Sequence, residues 1–287
     1  MLVPFLLLLQ PVVSAQDFSK ITIEKVTANY RFAEGPAWSK DGYLLYSDVP
    51  RNKIIRYTPG EKPEFFREES NGASGNAFDE KGRLYTCETG MRRVTRTTKE
   101  GKVEVLADKW EGKRFNAPND IVVRRDGHVY FTDPAFASQL DSRDLDFFGV
   151  FHISPKGQVA LVAKVKGRPN GVTLAPNGHV LYVTNADART VIAFDVDRNG
   201  AATNERVLVT GIRGVPGGLK TDEKGNLYVA GNGIGVYAPD GKLIKAIELS
   251  EPSANLAFGD PDLKTLYITA RTSVYRIRLE VKGSLQY

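Results

Sequence analysis

DGYLLYS (41–47), KGRLYTC (81–87), DGHVYFT (126–132), NGHVLYV (177–183), KGNLYVA (224–230) and DLKTLYI (262–268) are six versions of one phrase, a turn followed by a strand carrying a tyrosine. Eleven or twelve positions before the tyrosines, Tyr46, Tyr85, Tyr130, Tyr182, Tyr228 and Tyr267, stand Glu34, Ser74, Asn119, Asn170, Gly217 and Asn255. Each of these opens a second strand-like run: GPAWS, GNAFD, DIVVR, GVTLA, GLKTD and NLAFG. Short strands with DG, NG or KG turns, repeating every roughly 40–50 residues, are the mark of a β-propeller. An all-β, six-bladed propeller is the reading.

Working outward, three further strands follow Glu34 in blade one, and the same order recurs to blade five. Blade three carries an insertion, PAFASQLDSRDLDFF (134–148), between its second and third strands, whose pair Phe147–Phe148 is expected to be exposed as a lid or a contact. Blade six shows only three strands, NLAFG, TLYITA and SVYRIRLE. The alternating segment ITIEKVTAN (21–29) is expected to supply the fourth, so that an N-terminal strand closes the ring and hides its free edges. No run calls for a helix.

Residues 1–15, MLVPFLLLLQPVVSA, read as a signal peptide with small residues at its end, and 16–287 as one propeller domain. The apolar run is short for a membrane span, so no membrane association is expected after cleavage. A secreted or periplasmic protein follows. The net charge of +5 is scattered among acidic residues, with no basic stripe, which argues against nucleic acid. Cys87 is the one cysteine and lies in an apolar strand, as a core residue does.

In a propeller the slot residues converge on the axis. A ring of Glu and Asn oxygens there suits a hard cation: Ca²⁺ first, or another divalent ion such as Mg²⁺, Mn²⁺ or Zn²⁺. Oxygen donors without clustered Cys or His favour the first three over zinc, since His128 and His179 are expected in surface turns and His152 in an outer strand. Asp48, Glu88, Asp133, Asp187, Asn232 and Arg271 follow the second strands, and should form an outer ring around the slot. The competing reading makes each slot Asn a cap on a tight turn. That reading accounts poorly for Glu34, whose carboxylate on a narrow axis needs a partner charge.

The chain resembles the SMP-30/gluconolactonase/LRE family of six-bladed calcium-dependent lactonases. The resemblance is carried in order by AEGPAW, CETGMRRVTR, GKRFNAPNDIVVRRDGHVYFTDP, RPNGVTLAPNG, LKTDEKGNLYVA and NLAFGDPDLKTLYITA. It implies that Glu34 and Asn170 ligate the metal and that Asn119 contacts metal or substrate. The family usually reads PDG in blade five, its Asp both ligand and proton carrier. This chain reads PGG, with Gly217 at that place.

The expected function is hydrolysis of a small sugar-type lactone. The cation polarises the ring carbonyl and a nearby carboxylate takes the proton of the attacking water. Asp187 or Asp133 is expected to replace the missing base, and Asn119, Asn255 and Arg271 to contact substrate. No protein partner is indicated. The rival reading is a secreted propeller that binds a ligand without chemistry, because Gly217 removes the usual acid.

Overall fold

The computed structural model describes residues 16–285, so the expected signal peptide at 1–15 lies outside the described residues. Six four-stranded antiparallel sheets form the blades. Blade one comprises Ala33–Ser39, Tyr43–Asp48, Lys53–Tyr57 and Glu64–Arg67. Blades two to five begin at Ala73–Phe78, Ile121–Val123, Pro169–Leu174 and Leu219–Thr221. Blade six runs Ser253–Gly259, Thr265–Ala270 and Ser273–Arg278, and its outer strand is Ile23–Ala28, paired Ile23 to Ile277 through Ala28 to Ser273. The N-terminal strand thus completes the last blade, as the sequence predicted.

Burial grades outward from the axis. All seven residues of Ala33–Ser39 are buried, whereas in the outer strand Glu64–Arg67 three of four are exposed. The six tyrosines are all buried. A buried hydroxyl needs a partner, and the turns supply it in three blades. Tyr85 donates to Asp79 (3.2 Å), Tyr228 to Asp222 (3.4 Å) and Tyr267 to Asp260 (2.7 Å). Each aspartate opens the turn that leads into its tyrosine strand, so turn and strand are fixed together. Adjacent blades are joined by apolar packing such as Trp38 stacked on Tyr267, with ring centroids 5.6 Å apart.

Three expectations change. His128 is buried, not in a surface turn: its Nδ1 lies 2.6 Å from His152 Nε2, and the rings stack beside Tyr130. Burial, with the neighbouring His128, depresses the His152 pKa to about 4, which suits a neutral core pair. Short 3₁₀ turns occur, one of them Ala137–Ser142 within the blade-three insertion. The pair Phe147–Phe148, expected as an exposed lid or contact, packs inward: Phe147 meets Trp110 and Phe151, and Arg143 covers Phe148. Among the described residues no helix is long and apolar enough to cross a membrane.

Candidate active site

At one end of the axis the first strands open into a cavity of about 570 Å³. Its wall includes Glu34, Ser74, Asn119, Asn170 and Gly217, five of the six slot residues predicted from spacing. Local backbone irregularity aims them. The pairing between first and second strands slips at Glu34/Ala37, Ala73/Asn76, Pro169/Val172 and Ser253/Asn255, right where the strands reach the cavity. Such bulges turn side chains out of the pleat. In blades three and five the regular first strand starts only beyond the slot, at Ile121 and Leu219.

A second device sets the depth of the slot. A hydroxyl on the second strand of one blade holds a slot carbonyl of the next. Ser47 donates to the Ser74 carbonyl (2.8 Å), Thr132 to Asn170 (2.5 Å) and Thr184 to Gly217 (2.7 Å). These bonds leave the slot side chains free to face inward.

Glu34 is buried at 7% exposure. One of its oxygens accepts the Gly35 amide. Burial pushes its pKa up to about 7 and the Asp120 charge adds to the rise; the Gly35 amide, the Asn255 side chain and the Lys220 ammonium act the other way. Asn170 turns its Nδ2 to the Pro216 carbonyl at 3.1 Å, which leaves its Oδ1 available to the cavity. Asn119 is anchored by its main chain, accepting from Gly75 (2.7 Å) and donating to Thr132 (2.8 Å). One carboxylate and two amide oxygens on a single wall fit a hard divalent cation with remaining positions left to water. Among the described residues no three His, Cys, Asp or Glu side chains converge as a metal site, so the acidic contribution here rests on Glu34.

Gly217 is more than an absent acid. A Cβ built on it would lie 1.9 Å from the Ala254 carbonyl oxygen. Blades five and six approach so closely here that no side chain fits without moving main chain. Sixth in the ring, Ala254 lines the cavity in place of Asn255, because the bulge at Ser253/Asn255 shifts the register. Asn255 sits behind the wall, with its Oδ1 accepting from Leu256 and its side chain bonded to Glu34. It supports the carboxylate and, expected as a substrate contact, is not among the residues lining the cavity.

The predicted outer ring divides by chemistry. Asn232 and Arg271 line the cavity, whereas Asp48, Glu88, Asp133 and Asp187 do not. Asp133, expected as a proton acceptor, is fully buried and takes the amides of Asn116 (2.8 Å) and Ala117 (2.7 Å). Burial raises its pKa to about 7 against the pull of those two amides. Asp48 likewise holds the amides of Arg31 and Phe32. These carboxylates latch the segment leading into a blade, and backbone donors occupy them. Asp187, the other expected base, is half-exposed and ion-paired with Arg168, whose hydrogen bond lowers its pKa. The structure puts neither Asp133 nor Asp187 on the cavity wall.

Sequence reasoning missed Phe136, Gln139 and Arg189, which also line the cavity. The first two come from the insertion, whose 3₁₀ turn reaches over the mouth. Arg189 shares a turn with Asp187, and the carboxylate drew the attention. Lys220 was missed as well. It lines a much smaller cavity, about 70 Å³, whose wall also includes Asn76, Thr173, Ser284 and Leu285. Of these two cavities, the one on the Glu34 side is the wider.

Comparison with known proteins agrees with this architecture. The profile of the SMP-30/Gluconolactonase/LRE-like region matches residues 32–272. A gluconolactonase of Zymomonas mobilis is 31% identical over 293 residues, covering 91% of this chain and 82% of its own. The solved gluconolactonase of Xanthomonas campestris superposes with a TM-score of 0.84 at 28% identity, covering 90% of this chain and 89% of the other. A regucalcin of Agrobacterium tumefaciens, described as calcium-binding, shares the fold at a TM-score of 0.78 and 18% identity, covering 92% and 95%. With six blades, an axial Glu34 and a family profile matched from Phe32 to Thr272, this chain belongs to the SMP-30/gluconolactonase/LRE-like family.

Proposed function

We propose that the protein is a divalent-cation-dependent hydrolase of small sugar-type lactones. The observation that carries the reading is the convergence of Glu34, Asn119 and Asn170, from three blades, on one cavity wall. Lactonase relatives matching most of the chain support the reaction class. Glu34, Asn119 and Asn170 would hold the cation, calcium in the first instance. When bound, such an ion polarises a carbonyl and acidifies water.

The protein's own groups do the rest. The Asn170 amide is locked by the Pro216 carbonyl, so its oxygen is presented without a reorganisation cost. Glu34 is the one carboxylate among the residues lining the cavity, and the proton of the attacking water falls to it. Asp133 and Asp187 take no part in this scheme. Phe136 and Gln139 narrow the mouth and limit water around the substrate. The apolar leader at 1–15 supports a secreted or periplasmic place of action.

A binding propeller without chemistry is the second reading, and the tight contact at Gly217 favours it, because the local backbone has no room for an acid. Acid release from glucono-δ-lactone, followed with and without added Ca²⁺, separates the two. A cation-dependent rate that falls at least about 100-fold in Glu34→Gln supports catalysis. Calcium binding with no rate above buffer leaves the binding reading.

A further inference from the structure

The connection between second and third strands contributes to the cavity wall in all six blades, and in three successive ones it brings a long polar side chain. It supplies Arg189 in blade four, Asn232 in blade five and Arg271 in blade six. Other arginines near this end are occupied. Arg168 pairs with Asp187 and lies over Phe136, and Arg213 pairs with Glu248. Among the described residues nothing pairs with the guanidinium of Arg189 or of Arg271, although both are exposed at the mouth. Glu34, the one carboxylate on the wall among the described residues, is buried. The mouth is therefore cationic, and the charge comes from groups built for planar, two-pronged anion recognition.

We infer that the cavity selects lactones bearing an anionic substituent, a carboxylate or a phosphate ester, which Arg189 and Arg271 grip while the ring carbonyl faces Glu34, Asn119 and Asn170. Asn232, set between the two arginines, offers an amide donor to the same group. Phosphate and carboxylate are the two sources of this chemistry, and either satisfies a guanidinium pair. This inference rests on the lactonase reading for its substrate class, but anion selectivity is measurable without turnover.

The binding arm uses ligands that cannot be hydrolysed. Calorimetry in chelator compares 1,5-anhydroglucitol with its 6-phosphate on the wild type, Arg189→Gln, Arg271→Gln and Arg125→Gln, the last being an exposed arginine away from the cavity that controls for net charge. A charge-assisted hydrogen bond predicts that the phosphate binds about tenfold or more tightly than the neutral compound. Each mouth variant should remove most of that preference and Arg125→Gln none of it. The kinetic arm compares kcat/KM for glucono-1,5-lactone, its 6-phosphate and glucaro-1,4-lactone. Preference for the phosphate alone, or for the carboxylate as well, identifies the source of the anion.

Equal binding of charged and neutral ligands overturns the inference, as does a preference that survives both mouth variants. Should neutral lactone then be turned over well, the lactonase reading stands without it. Anion preference lost in both mouth variants, with no lactone hydrolysed, keeps the selectivity and removes the lactonase reading.

Discussion

Replacing Glu34 by glutamine should stabilise the metal-free protein at pH 8 while abolishing its response to calcium. Glu34 is buried, and its pKa stands at about 7 against the ordinary 4.5. At ~1.4 kcal/mol per decade that gap is about 3 kcal/mol of penalty for holding the charge in the fold. The sign follows from the raised value. Below pH 4.5 the group is protonated whether folded or not, and there is no penalty. As pH climbs towards 7 the folded state keeps a proton that the unfolded chain has released, so stability falls, and the loss is complete above 7. Glutamine keeps the shape and an acceptor for the Gly35 amide, and carries no charge. Asp133 adds a slope in the same pH range, so the informative quantity is the difference between wild type and variant.

Urea unfolding at pH 5, 6, 7 and 8 in chelator measures this, repeated in 10 mM Ca²⁺. With a dissociation constant of about 10⁻³ M, as weak oxygen sites have, calcium at that concentration would stabilise the wild type by about 1.4 kcal/mol and leave the variant unchanged. The reasoning is refuted if Glu34→Gln is less stable than wild type in chelator at pH 8, or if calcium stabilises both proteins equally.

Gly217→Asp should fail to build a stronger cation site, because its Cβ meets the Ala254 carbonyl; a loss of at least about 1–3 kcal/mol in urea is expected, and an unchanged midpoint with tighter calcium binding would contradict it. Asp133→Ala leaves the Asn116 and Ala117 amides without their acceptor inside the protein, and should cost about 2–5 kcal/mol by the same assay. Asp187→Ala breaks an exposed ion pair and should change stability by less than about 1 kcal/mol, with kcat kept within tenfold; a fall beyond 100-fold would return Asp187 to the chemistry. Calcium affinity itself, by calorimetry, should fall in the range of about 10⁻⁴–10⁻³ M, because a single carboxylate faces the cavity.

The sequence made the propeller legible because one constraint repeats in every blade. A tyrosine must be buried in each second strand, and a turn must precede it. Counting back from those tyrosines located Glu34, Ser74, Asn119, Asn170 and Gly217 correctly. It erred at Asn255, since a bulge placed one residue differently leaves Ala254 on the wall. The outer ring shows a different limit. Asp48, Asp133 and Asp187 have the same side chain and similar positions after a strand, and each accepts main-chain amides, yet Asp48 and Asp133 are buried while Asp187 is exposed and also held by the Arg168 side chain. Their partners are segments up to about twenty residues away that carry no motif of their own. Likewise PGG reads as a missing acid, while the contact that forbids one arises between blades.

The strand Ile23–Ala28 finds its partner at Ser273–Arg278, almost the whole length of the polypeptide away. During synthesis its hydrogen-bonding edge must wait, with no mate, until the last strand has left the ribosome. Five blades are each built from neighbouring residues, but the sixth cannot be finished until Ser273–Arg278 is at hand. A chain lacking residues up to 28 would assemble its other strands and keep the flank of Ser273–Arg278 bare, an invitation to associate with a second copy.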